Sequence, residues 1–193
     1  MTIDVAIRYK NKLILASDSL LTRGTFVSSN TCPKIKVQDN FVFSFAGSLA
    51  FVAVIKYLIN TIKDWEGALG QRLLTYKPDV DLGGYNGDCA IILELNANKE
   101  IIEWVHIDVD NASIGVVDLL REDYNIFVAG CGDEKFAAAF RALINRKTPS
   151  NLKEMVSIIK ESFQVVHELD TCCNNQVNLM TFTLAKEVLN GKI

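Results

Sequence analysis

Residues 2–18 read TIDVAIRYKNKLILASD, and this stretch decides the fold class. Apolar and polar residues alternate from Thr2 to Tyr9, which is the period of a half-buried strand. Residues 13–16, LILA, indicate a second and more completely buried strand, and the connection between the two is short enough to favour antiparallel pairing. Asp18 follows at the end of the second strand. The sequence therefore predicts a sheet that the chain enters at Thr2.

Further along, strand patterns alternate with helical ones. Residues 41–46, FVFSFA, favour a strand, and apolar residues at helical spacing then predict a helix from Leu49 to about Lys63 with Ser48 as its N-cap. The other predicted elements are a weaker helix over 65–76, a hairpin of 89–95 and 101–107, a strand at 126–129, helices over 134–145 and from Ser150 to about Val166, and a strand at 177–184. Two stacked antiparallel sheets with a helical pair outside each satisfy this order. We expect the α+β class, as a four-layer αββα sandwich.

Length and composition limit the class of protein. The chain has 193 residues, of which 49% are hydrophobic, so we expect one domain spanning 1–193. It has no apolar run long enough to span a bilayer and no signal-peptide pattern at its start, which predicts a cytoplasmic protein with no membrane partner.

Charge and cysteine content exclude several kinds of site. The five cysteines form no C-x-x-C pair and only two histidines are present, so neither a disulfide framework nor a zinc site is indicated. The net charge is −3 and the basic residues are scattered, which argues against a nucleic-acid partner. We expect no metal or other cofactor.

Thr2, Asp18 and Lys34 are the candidate chemical group. If Met1 is removed, the freed α-amine of Thr2, with a pKa of about 7.7 to 8.0, becomes a base beside its own hydroxyl. Antiparallel pairing returns Asp18 toward Thr2, and Lys34 lies beyond the next connection. A lysine beside a threonine hydroxyl stabilises its oxyanion, while an aspartate keeps the lysine charged and oriented. Taken singly, Asp18 also fits a turn residue and Lys34 a surface charge.

The run from Thr2 to Gly24 resembles the opening of proteasome β subunits and of the bacterial protease subunit HslV. The residues that carry the likeness are KLILASDS at 12–19 and TRG at 22–24. The resemblance implies an N-terminal nucleophile (Ntn) hydrolase in which Thr2 is the nucleophile, Lys34 its electrostatic partner and Asp18 the residue that orients Lys34.

Four further positions take roles from the same resemblance. Gly47, in FAGSLA at 45–50, is implied as the oxyanion hole, and Cys131, Asp170 and Cys173 as support for the threonine amine. The family has serines where Cys131 and Cys173 stand, and a thiol is the weaker hydrogen-bond partner. The chain also departs from the family at two other positions: Leu20 replaces a frequent arginine and Ala6 a usual glycine.

The resemblance also implies a substrate pocket and an assembly. The pocket residues are Leu21, Thr22, Cys32, Lys36, Phe45 and Leu49, which predicts cleavage after apolar residues, although Phe45 and Leu49 equally suit a core. The implied partners are protein or peptide substrates, further copies of the chain in a homo-oligomeric ring, and an ATP-dependent unfoldase. Two alternatives stay open: a catalytically silent structural subunit of the same fold, and an Ntn amidohydrolase acting on a small amide.

Overall fold

The first two strands form where the N-terminal sequence predicts them. In a computed structural model, which describes residues 2–23, 26–76, 82–111, 113–119, 125–170 and 173–189, β1 spans Ile3–Tyr9 and β2 spans Lys12–Asp18. They pair antiparallel, and Lys10 takes a φ of 56° in the turn between them. Asp4 lies opposite Ser17, so the end of β2 returns to the beginning of β1.

The strands fall into two antiparallel halves. Nine strands of the described chain are joined by hydrogen bonds: eight follow the order β10-β1-β2-β11-β8-β7-β6-β5, and β9 pairs with β8. The pairing of β11 with β8 is parallel and joins just two residue pairs, Thr183 with Glu100 and Leu184 with Ile101. The remaining strand bounds are Leu21–Arg23 (β3), Phe26–Ser29 (β4), Ile35–Gln38 (β5), Phe41–Ala46 (β6), Cys89–Leu95 (β7), Glu100–Asp110 (β8), Ser113–Asp118 (β9), Ile126–Gly130 (β10) and Val177–Leu184 (β11).

Two pairs of helices accompany the halves. Their bounds are Leu49–Ile62 (α1), Leu69–Thr75 (α2), Asp133–Lys147 (α3) and Leu152–Leu169 (α4), with a short α5 at Lys186–Leu189 and a 3₁₀ turn at Gly83–Tyr85. The Ser48 side chain accepts a hydrogen bond from the amide of Phe51, so the predicted N-cap of α1 is confirmed. None of the helices in the described part of the chain is long and apolar enough to cross a membrane.

Three buried clusters show that the layers are stacked. The first, the α1 core, joins α1 and α2 to one face of β6–β8 and includes Phe43, Phe51 and Ile59. The second, the α4 core, joins α3 and α4 to β1 and β2. The third, the inner core, joins the two halves face to face and includes Leu15, Ile91 and Trp104. Helix, sheet, sheet and helix follow one another, and the predicted αββα sandwich is confirmed.

Some local predictions were wrong for identifiable reasons. Helix α2 begins at Leu69 and not at 65, because Gly67 has a φ of +101° and the residue before the helix, Ala68, is extended. The N-cap of α4 is Asn151, whose side chain accepts from the amide of Glu154, whereas Ser150 donates to the Glu154 carboxylate. Strand β9 and the β3–β4 ribbon carry too little alternation to be predicted from their sequences.

Candidate active site

The β1–β2 pair brings Thr2, Asp18 and Lys34 together. Thr2 stands immediately before β1, and Asp18 is the last residue of β2. The Lys34 ammonium donates to Thr2 Oγ1 at 2.5 Å and to Asp18 Oδ1 at 2.9 Å. All three residues are at most 5% exposed, so these contacts lie where charges interact more strongly than in water.

Asp18 is fixed by the backbone as well as by Lys34. Its Oδ1 accepts from the amide of Ile3 at 3.0 Å, and its Oδ2 accepts from the amide of Leu20 at 3.0 Å. A buried carboxylate that accepts hydrogen bonds from three donors is well satisfied. It can therefore hold the Lys34 side chain in a single orientation. The side chain therefore links the beginning of β1 to the end of β2 and orients Lys34.

A buried amide network holds the connection that carries Lys34. Asn174 Oδ1 accepts from the amide of Ser19 at 3.1 Å, and Asn174 Nδ2 donates to the carbonyl of Asn30 at 2.9 Å. Asn178 Nδ2 donates to the carbonyl of Cys32 at 3.1 Å. Sequence reasoning missed both asparagines, since they lie more than 140 positions from the backbone that they bind and no local pattern marks them.

Gly130 and Cys131 lie against Thr2 from the end of β10. Gly130 has a φ of +103°, and a Cβ at this position would stand 2.0 Å from the carbonyl oxygen of Thr2. The thiol of Cys131 contacts the same carbonyl oxygen at 3.8 Å. Burial raises the pKa of this thiol, and the bond to Thr2 offsets part of the rise, so the side chain is a neutral thiol near pH 7. Sequence reasoning assigned no role to Gly130.

Asp170 and Cys173 meet just beyond α4. The thiol of Cys173 lies 3.9 Å from the carbonyl oxygen of Asp170, and the Asp170 carboxylate pairs with Lys135 of α3. His167 Nδ1 is 3.0 Å from the carbonyl oxygen of Cys173. The contact between Asp170 and Lys135 ties the end of α4 to α3, the helix that follows Cys131.

Gly47 follows the last residue of β6 and lies beside the Asp88 carboxylate, which the sequence did not predict. Asp88 Oδ2 accepts from the Ser48 amide at 3.1 Å and from the Ser48 hydroxyl at 2.8 Å. Gly47 has a φ of +137°, and a Cβ there would overlap Asp88 Oδ1 at 2.2 Å. The preceding Ala46 reaches to 3.3 Å from the Cβ position on Gly130, which places this loop beside the Thr2 backbone. Glycine is required here by both conformation and space.

The predicted substrate residues are found in different surroundings. Phe45 is 1% exposed and packs in the α1 core, whereas Leu49 is half exposed at the beginning of α1. Leu21, Cys32 and Lys36 are partly buried, and the side chain of Thr22 lies outside the described residues. Their role in binding stays a prediction. Among the residues that the structure describes, no three His, Cys, Asp or Glu side chains are grouped so that they could hold a metal ion.

Comparison with known proteins agrees with the N-terminal resemblance. A family model described as Proteasome subunit matches residues 2–73. Proteasome subunit beta 1 of Korarchaeum cryptofilum is 38% identical over 63 residues, which are 32% of this chain and 29% of that protein. The resemblance to the proteasome family is confirmed. The matched stretch thus spans less than a third of the proteasome subunit's length.

The fold likeness to a proteasome-type protein extends over nearly the whole chain. The crystal structure of eukaryotic HslV from Trypanosoma brucei superposes with a TM-score of 0.71, covering 94% of this chain and 99% of that one. The two sequences are 20% identical, so this likeness shows the fold alone. Together with the family match, it supports a proteasome-like fold around Thr2.

Proposed function

We propose that this chain is a threonine peptidase subunit of a self-compartmentalising, proteasome-like protease, in which Thr2 is the nucleophile once Met1 has been removed. The observation that carries the proposal is the buried contact of 2.5 Å between the Lys34 ammonium and Thr2 Oγ1, with Asp18 holding the lysine from its other side. A hydroxyl at the start of a strand has no structural need for a buried cation. A nucleophile does, because the cation stabilises its developing negative charge.

The chemistry follows from the groups at Thr2. The free α-amine takes the proton of Thr2 Oγ1 as the oxygen attacks the peptide carbonyl, and Lys34 stabilises the negative charge on Oγ1 as it forms. The tetrahedral oxyanion accepts a hydrogen bond from the amide of Gly47 in this proposal. When the C–N bond breaks, the protonated amine returns its proton to the leaving amino group and an ester at Thr2 remains. Water, deprotonated by the same amine, hydrolyses that ester.

The partners of the proposed enzyme come from the proteasome-type resemblance. They are protein or peptide substrates, identical subunits in a ring, and an ATP-dependent unfoldase. Light scattering of the purified protein tests the ring directly, because the chain alone has a mass of 21.5 kDa and a ring is several times heavier. A monomer that nevertheless cleaves peptides would contradict the compartment while leaving the chemistry intact.

The active-site assignment is tested by intact mass after incubation with a peptide epoxyketone, which needs both the hydroxyl and the free amine of an N-terminal threonine. We expect loss of Met1 and a single adduct at Thr2. Thr2→Ala should abolish the adduct, whereas the matched variant Thr31→Ala, at an exposed threonine, should keep it. Peptide turnover should follow the same pattern.

The same experiment separates the alternatives. A chain that lacks Met1 and forms no adduct when assembled would favour the silent structural subunit. An adduct without turnover of any peptide would favour an amidohydrolase for small amides. If Met1 is retained, treatment with an aminopeptidase before the probe exposes Thr2, and a threonine that still fails to react would overturn the peptidase proposal.

A further inference from the structure

A second buried polar group lies behind Thr2 in the space between the two sheet halves. It consists of Asp4, Ser17 and Ser44, each of which is 0% exposed. In the described chain, neither carboxyl oxygen of Asp4 and neither serine hydroxyl makes a hydrogen bond of ordinary geometry. Buried polar side chains are nearly always satisfied, and a carboxyl is among the costliest to leave without partners. Three such residues at one place call for an explanation beyond packing.

Strand alternation points all three toward one another. Ala6 and Leu15 belong to the inner core, so Asp4 and Ser17, two residues away along their strands, face the same space. Asp4 and Ser17 are direct cross-strand partners. Ser44 comes from the opposite half, where Val42 of the same strand also faces the inner core. By the same alternation, Asp4 points to the side of β1 from which Thr2 projects.

The charges around Asp4 belong to the Thr2 site. Burial raises the pKa of the Asp4 carboxyl well above its ordinary value. The positive charge of Lys34 lowers this pKa and the negative charge of Asp18 raises it, while the nearby Ser44 hydroxyl, which can donate to the carboxylate outside ordinary hydrogen-bond geometry, lowers it. Another titratable group on an element that packs here is Cys89 of β7, whose thiol pKa is raised to about 12 by burial first and then by nearby carboxylates that include Asp4. The facing residue of β10, Ala129, is uncharged. Burial therefore favours the neutral form of the Asp4 carboxyl, and Lys34 is the cation whose charge favours the ionised form.

We propose that Asp4 is a positioning residue of the Thr2 site and acts on the nucleophile through Lys34. While Asp4 is neutral, the Lys34 ammonium has one anionic partner, Asp18. Its positive charge can then stabilise negative charge on Thr2 Oγ1. When Asp4 loses its proton, the buried group carries two negative charges and one positive charge. Lys34 then stabilises an oxyanion on Thr2 less well, because its field is shared with a second carboxylate.

The rate at which an epoxyketone reacts with Thr2 tests this role of Asp4. This experiment rests on the proposed function. Epoxyketone labelling of wild type, Asp4→Asn and Asp4→Thr is followed from about pH 6 to pH 10. We expect the ratio of variant to wild-type rates to rise with pH, by about tenfold at the alkaline end, because the variants cannot acquire the second negative charge. A matched variant at an exposed carboxylate, Asp64→Asn, should keep a constant ratio. A constant ratio for both Asp4 variants would overturn the proposal.

Thermal unfolding tests the protonation of Asp4 without requiring any enzymatic activity. The unfolded chain releases the Asp4 proton at an ordinary carboxyl pKa, whereas the folded chain holds it to higher pH, so Asp4 costs stability progressively as pH rises between these two values. Asp4→Asn should therefore gain melting temperature over wild type, by a few degrees, as the pH rises above the ordinary carboxyl pKa of about 3.9. A difference that does not change with pH would show that the carboxyl is not held neutral, and would contradict the proposal.

The link to Lys34 is tested in the same assay. Since Lys34 lowers the pKa of Asp4, removing the lysine should enlarge the stabilisation that Asp4→Asn brings at alkaline pH. We compare Asp4→Asn in the wild-type and Lys34→Met backgrounds at about pH 9. Additive changes in melting temperature would overturn the coupling. If wild type fails to label while the two unfolding results hold, the proposed peptidase function fails and the position of Asp4 in the charge group stands.

Discussion

At the level of single residues, the Thr2 site depends most on the positive charge of Lys34. Lys34 is 1% exposed, and both of its described partners are buried. A lysine is rarely buried in this way unless its charge is compensated, and Asp18 supplies the compensation. Replacing either Lys34 or Asp18 alone should therefore lower the stability of the fold more than replacing both.

Lys34→Met should cost about 3–5 kcal/mol of unfolding free energy, because it leaves the Asp18 carboxylate buried without its cation. The double variant Lys34→Met/Asp18→Asn should recover part of this loss, since no charge is then left unpaired. Urea denaturation with both variants measures the difference. A double variant less stable than the single one would show that the carboxylate is satisfied by the backbone amides alone.

Gly130 lies against Thr2 at a position that leaves no room for a side chain. Gly130→Ala should lower the free energy of unfolding by about 2–4 kcal/mol, because a Cβ would meet the Thr2 carbonyl and the backbone has a positive φ. The variant should also slow epoxyketone labelling, since Thr2 has to move. Gly84→Ala is the matched control, because nothing lies within 4 Å of its Cβ position. Equal effects of the two substitutions would mean that the contact with Thr2 is easily relieved.

Among the larger structural elements, the connection between β2 and β5 has the largest part in building the site. It carries Lys34 back to the Thr2 end of β1, and it is held there by side chains that follow α4 and lie on β11. Hydrogen bonds that join buried backbone groups to an amide side chain are expensive to lose, because the backbone groups stay buried without partners. The position of Lys34 therefore depends on a part of the chain far from it in sequence.

Asn174→Ala should destabilise the protein by about 1–3 kcal/mol and should reduce labelling at Thr2, because the Ser19 amide loses its partner and the Asn30 carbonyl keeps only the Ser19 hydroxyl. The neighbouring Asn175→Ala, at an exposed position, should change stability by less than about 0.5 kcal/mol. Thermal unfolding and the epoxyketone assay together measure both effects. Unchanged labelling in Asn174→Ala would show that the connection keeps Lys34 in place without this network.

For the molecule as a whole, the contact between the sheet halves decides how stability responds to acid. His106 of β8 packs on Phe127 of β10 with ring centroids 4.5 Å apart, so it joins the two halves. Burial lowers the pKa of His106, and its Nε2 has no hydrogen-bond partner in the described structure. Protonation therefore places a positive charge at this contact, although the nearby Asp108 offsets part of the cost.

We expect acid to destabilise the fold through this histidine. As pH falls through the ordinary histidine value of about 6.5, the unfolded chain binds a proton before the folded chain does, so the folded state loses stability until the lowered pKa is passed. His106→Leu should lose less melting temperature than wild type between about pH 7.5 and pH 5. Parallel curves for the two proteins would show that protonation of His106 does not contribute.

The sequence by itself determined the α+β class, the β1–β2 pair, the two helical pairs and the meeting of Thr2, Asp18 and Lys34. These follow from local periodicity, from short connections, and from spacings that antiparallel pairing converts into proximity. Tertiary structure alone decided the placement of Asn174 against the connection that carries Lys34, of Asp88 beside Gly47, and of Asp4 behind Thr2. Each of these depends on which buried groups meet from distant parts of the chain, and hydrogen bonding and desolvation at such meetings leave no periodic signal in the sequence.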